Sequence, residues 1–202
     1  VHVPIVALAM LPVLFGLPII LAPVHIAFLE LVIDPACSLA FESEPGGSGL
    51  MQQPPRDRSQ RLLAGRDLLQ SVILGVFVSG AAIAAYALLA HFGFGAAEAA
   101  TGAFVLLVAA IGALLLPLRK TSGSAFSLFK GLTRETRWIL ALTLCALVCA
   151  SRVPFLASML RLVVLPVEIW VGYLATGLML AIPLQGIKML LPRTWQSAHE
   201  ST

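Results

Sequence analysis

Glu30 and Asp34 stand one helical turn apart in an otherwise apolar stretch, Pro23–Cys37, with Pro35 directly behind them. In a membrane helix each carboxylate costs roughly 2.5–3.5 kcal/mol near the bilayer centre. Spacing i, i+4 puts both side chains on one face. Pro35 has no N–H and clashes with the carbonyl four residues back, that of Leu31, so the helix is expected to open locally beside the acids. Carboxylate oxygens next to a freed backbone carbonyl suit a hard cation, and broken helices at membrane depth are where transporters place ion sites. The sequence therefore predicts cation binding by Glu30 and Asp34, with Leu31 and Pro35 as the helix break and the carbonyl donor. His25 and His2 are further candidate donors, for which packed or interfacial histidine is the plainer reading. Two neighbouring carboxylates titrate as a coupled pair. An arriving cation then displaces a shared proton, which makes proton exchange a natural partner of cation movement.

The elements that must position these groups are membrane helices. Of 202 residues, 59% are hydrophobic and 11% charged, against about 25% charged in an ordinary soluble domain. The mean hydropathy is +0.96. The reading is an all-α, polytopic helix bundle in a lipid bilayer, with about six spans at 1–15, 19–41, 67–91, 98–117, 138–156 and 167–191. The first run, Val1–Phe15, reaches roughly 22 Å as a helix. That is short of a bilayer core of about 30 Å, so this helix is expected to be incomplete and the chain truncated. Between the second and third spans lies a polar, Gly- and Pro-rich loop, 42–66, and between the fourth and fifth a basic one, 119–137.

Eleven Lys and Arg fall in those two loops and near the C-terminus, whereas only Arg152 and Arg161 fall on the opposite side. By the positive-inside rule the two loops and the C-terminus are expected in the cytoplasm. Trp138, Trp170, Tyr173 and Trp195 sit near span ends, as interfacial aromatics would. Cys37, Cys145 and Cys149 lie in apolar sequence and read as small packed residues, and Glu98 and Glu168 as solvated span-end acids. The net charge of +3 comes without a basic cluster interleaved with aromatics, so nucleic acid is not an expected partner. No phosphate-binding glycine loop, dinucleotide fingerprint or zinc spacing occurs, and the chain is not expected to hold a cofactor or to catalyse alone.

Pro23-Val-His followed by Glu30-Leu-Val-Ile-Asp34, with Leu50-Met-x-x-Pro54-Pro55-Arg56 downstream, resembles the C-terminal membrane region of type II cation-transporting P-type ATPases, the calcium-pump-like group. The resemblance runs from the end of helix five to helix ten. It implies a parent pump that uses ATP and Mg2+, with a phosphorylated Asp and nucleotide-binding and actuator domains that would precede Val1. It further implies a transported cation as substrate, protons in exchange, the missing N-terminal pump domains as partners and a bacterial plasma membrane as location. Calcium pumps carry Asn-x-x-Thr-Asp where this chain has Glu30, Ile33 and Asp34, and an ungapped register puts His2 and Ile5 at the helix-five ligand positions. The ion is therefore left open. A stand-alone proton-coupled permease and a purely structural membrane fragment are the alternative readings.

Overall fold

The computed structural model describes residues 2–16, 18–42, 65–118 and 134–190. The polar loop from residue 43, most of the basic loop and the tail from residue 191 lie outside the described residues, and with them the Pro54-Pro55-Arg56 motif and Trp195.

Among the described residues eight helices follow one another: α1 (His2–Leu14), α2 (Pro23–Glu42), α3 (Gly65–His91), α4 (Ala96–Leu118), α5 (Arg134–Arg152), α6 (Pro154–Met159), α7 (Val167–Met179) and α8 (Ala181–Leu190). The described residues contain no strand, and the chain is an all-α membrane helix bundle. Among the described residues three stretches are long and apolar enough to cross a bilayer, Leu68–His91, Ala96–Leu116 and Val167–Met189.

The bundle is built around α4. Its sequence is apolar on every side, as a helix surrounded by others must be, and every residue from Thr101 to Leu116 is buried. Helices α3, α7, α8, α2 and α5 pack on it, while α1 packs on α3 and α2 on α5. Helix α7 approaches α4 closely at Gly177. A Cβ there would lie 2.6 Å from Ala109 Cβ and 2.7 Å from the Leu106 carbonyl oxygen. Only glycine lets the two backbones meet this way, the usual device for membrane helices, which gain little from the hydrophobic effect once in lipid. Gly75 serves α3 in the same manner, with a Cβ position 2.5 Å from Val3 of α1. Hydroxyls within the apolar helices bond back to the preceding turn: Ser79 Oγ donates to the Gly75 carbonyl and Ser151 Oγ to that of Leu147, both at 2.8 Å.

Several boundaries differ from the hydropathy reading, for local reasons. The acid-bearing helix begins at Pro23 and not at Ile19, although Ile20 and Leu21 are buried. Proline at the first helical position is preorganised for that start, and Ala22 accepts the first helical bonds, from His25 N–H at 2.9 Å and Ile26 N–H at 3.3 Å. Helix α5 begins at Arg134, so Arg134 and Arg137 stand on its exposed first turns and not in a loop. Nor does α5 run on to Leu156. The residue before a proline is pushed out of the helical region, and Val153 is extended at φ −80°, ψ 117° ahead of Pro154. The last span is broken at Leu180 into α7 and α8. Pro183, three residues on, cannot donate to the Met179 carbonyl. Leu180 itself stays αR, and its N–H and carbonyl keep their bonds to Thr176 and Leu184, so the chain does not change direction sharply there.

Candidate functional site

Helix α2 has two faces. His25, Leu29, Ile33, Ala36 and Cys37 are buried against the bundle. Glu30, Leu31 and Pro35 are exposed, Leu31 at 78%. Glu30 thus lies on the side of α2 that the described helices leave uncovered. Asp34 follows one turn later in the same helix, and its side chain is not among those described. The helix continues through Pro35 to Glu42, so the proline is an internal residue whose missing N–H leaves the Leu31 carbonyl without its helical donor. Among the described residues no three of His, Cys, Asp and Glu converge as a metal site. A groove between α2 and the α5–α6 corner, lined by Ala27, Leu31, Ala146, Cys149, Leu156 and Leu160 among others, is apolar and does not include Glu30.

The two histidines are placed very differently. His2 is exposed at the start of α1. His25 is 4% exposed and both of its ring nitrogens are engaged. The Ala22 N–H donates to Nδ1 at 3.1 Å, so Nδ1 carries no proton. Nε2–H then donates to the Leu160 carbonyl at 2.6 Å, across 135 residues of chain. The imidazole also lies against Phe104 of α4, with centroids 4.9 Å apart. Glu98 does at the head of α4 what His25 does at the head of α2. Its Oε2 accepts the Gly95 N–H at 2.8 Å, half of a capping box.

Leu160 belongs to a polar anchorage that hydropathy does not reveal. The segment between α6 and α7 is held at three points by three helices. Besides the His25 bond from α2, Thr101 Oγ1 of α4 accepts the Val163 N–H at 3.0 Å, and Arg152 of α5 donates to the Leu165 carbonyl at 3.2 Å. Thr101 in turn donates to the Ala97 carbonyl at 2.8 Å. The signal in the sequence was the isolation of these side chains: one threonine heading an apolar run, and one arginine on the side otherwise nearly free of Lys and Arg. The Arg152 guanidinium lies 5.4 Å from the centroid of Trp170. Trp170 is accordingly buried beneath a cation and is not an open interfacial residue, in contrast to exposed Trp138. Tyr173 donates to the Ala85 carbonyl at 3.1 Å. None of the three cysteines is in a disulfide: Cys37 is packed as expected, but Cys145 is exposed on the outward face of α5 and Cys149 is half-buried.

Comparison with curated proteins finds no match to this chain. The family described as cation transporting ATPase, C-terminus, matches residues 18–190, from just before α2 to the end of α8. That is most of the chain, including the acid-bearing helix, the central helix and the anchored segment, and the protein belongs to this family, as a C-terminal membrane region of a cation-transporting P-type ATPase.

Proposed function

We propose that this chain supplies one wall of the cation path in an ATP-driven pump, with Glu30, Asp34 and the Leu31 carbonyl as the oxygen donors on that wall. The observation that carries the reading is the exposure of Glu30 on the uncovered face of α2, inside a helix that runs on through Pro35. A carboxylate left bare in a membrane bundle is costly unless a ligand or a further helix completes its surroundings. In this reading other membrane helices of the pump bring the remaining oxygens, and its ATP- and Mg2+-dependent domains drive the cycle. The cation is hard and calcium-like in its preference for oxygen. Protons move in exchange in this reading, in return for the positive charge that the cation carries. The Lys and Arg distribution supports a cytoplasmic C-terminus in this reading.

The test is cation-dependent phosphorylation of the complete pump, measured across pH. Asp34→Asn is expected to abolish tight cation binding. Glu30→Gln is expected to weaken it and to flatten its pH dependence. If both variants keep wild-type affinity and wild-type pH dependence, the acids are structural and the reading fails.

A further inference from the structure

His25 is a buried ionisable group that the cation path does not use. It sits at the third position of α2, caps that helix through Ala22, and reaches out of it to Leu160. The two bonds demand one tautomer. Nδ1 must be bare to accept the Ala22 N–H, and Nε2 must carry the proton it gives to the Leu160 carbonyl. Leu160 is itself held tightly in place. It ends α6 in a Schellman cap, in which Arg161 N–H donates to the Ser158 carbonyl at 3.1 Å and Leu162 N–H to that of Ala157 at 2.8 Å. Thr101 and Arg152 fix the residues that follow.

We propose that His25 is a positioning residue for the acid pair: in its neutral form it pins the first turn of α2 to the α6–α7 segment and so sets the line of Glu30 and Asp34, and on protonation it lets go. This rests on the cation-path reading for its consequence, but not for the contact itself. A proton on Nδ1 turns an acceptor into a donor aimed at the Ala22 N–H. It also places a cation among apolar rings at a helix N-terminus, where the helix dipole opposes it. A charge would strengthen the Leu160 bond, yet that gain is smaller than the cost of a buried cation with no counter-ion. The ring must turn to escape, and turning carries Nε2 off Leu160.

Among the described residues no carboxylate is bonded to His25, and Glu168 at the head of α7 is exposed. On α2 the nearest is Glu30, on the exposed face. On α4 Glu98 is committed to Gly95. On α5 this end offers Arg152, committed to Leu165, with Cys149 and Cys145 further in and Arg134, Glu135 and Arg137 at the opposite end. On the α6–α7 segment the ionisable neighbour is Arg161, a second cation, next to the carbonyl that His25 holds.

Hydrogen exchange of the Leu162 and Val163 amides, on the protein in phosphatidylcholine nanodiscs, reads the pin directly. In wild type the protection factors are expected to fall about tenfold between about pH 7.5 and about pH 5, the worth of one buried hydrogen bond. His25→Gln keeps a donor for Leu160 without the titration, and is expected to hold its neutral-pH protection at both. His25→Phe keeps the packing on Phe104 and loses both bonds, and is expected to show the lowered value at both. Imidazole 15N shifts at neutral pH are expected to report Nε2–H. Protection in wild type that ignores pH, a Gln variant that falls as wild type does, or an Nδ1–H tautomer would each overturn the proposal, and the first and third need no variant to fold. In the complete pump at neutral pH, His25→Phe is expected to lower cation affinity about tenfold and His25→Gln to leave it near wild type. Unchanged affinity in His25→Phe would overturn the positioning role. No cation response even in wild type would instead sink the cation-path reading, while the exchange result would stand.

Discussion

Helices α2 and α4 have similar lengths and opposite designs. Helix α4 is buried throughout from Thr101 to Leu116, and its one acid, Glu98, is spent on capping its first turn. Helix α2 is buried on one side only and carries Glu30, Asp34 and Pro35 along its length. The difference teaches how such a bundle divides labour. The helix that five of the others pack against tolerates no unpaired charge, because its surroundings are complete. The helix that carries the acid pair lies at the edge, with Glu30 on the face that the described helices leave uncovered.

The sharpest way to break this comparison is to move the acid. Leu107 of α4 is fully buried. Leu107→Glu leaves a carboxyl with no partner at the centre of the packing and is expected to cost at least about 3 kcal/mol. Glu30→Gln, on the exposed face of α2, is expected to change stability by less than about 0.5 kcal/mol. Reversible unfolding in mixed detergent micelles checks both. Equal losses would mean that α2 is as enclosed as α4.

The next test concerns contact and not charge. Gly177→Leu drives a side chain into the Leu106 carbonyl and Ala109, neither of which can move without bending α4. A loss of about 3 kcal/mol is expected, the upper range for overpacking, and it should appear as separation of α7 from α4 in a cysteine cross-linking assay. The same change at Gly172, where a Cβ meets nothing within 4 Å, is expected to be nearly neutral.

The smallest effect runs the other way. Arg161 adopts φ 53° at the end of α6, the conformation that Gly93 takes with φ 84° at the end of α3. The two caps share their bonding, since Phe94 N–H reaches the Leu89 carbonyl as Leu162 N–H reaches that of Ala157. Arginine has a Cβ to accommodate there and glycine does not. Arg161→Gly is therefore expected to stabilise by up to about 1 kcal/mol, read as a rise in the unfolding midpoint. A destabilised variant would mean that the Arg161 side chain holds something worth more than the backbone relief.

The order of the helices was legible in the sequence because hydropathy is a property of single segments. The turn at Phe92–Gly95 and the third and fourth spans fall where apolar runs and glycines put them. What was not legible depends on pairs of residues far apart. Nothing local marks α4 as the centre, since its composition would equally suit a lipid-facing span. The three-point anchorage needs Thr101, Arg152 and His25 to meet one segment, and no spacing encodes that. The acid stretch was legible as chemistry, but the face it presents became visible only with the fold. The proline effects at Val153 and Leu180 were open to sequence reasoning and were overridden by the apolar run on either side.

The contact at Gly177 also bears on how the protein is made. Helix α4 emerges during synthesis well before the helix that locks onto it. In that interval it has only lipid along the side that α7 will cover, and its uniformly apolar surface makes the wait harmless. The bundle is thus assembled in two stages, with insertion settled segment by segment and this packing delayed until α7 has emerged. A chain halted before Val167 leaves α4 inserted without the glycine that brings α7 against Leu106 and Ala109.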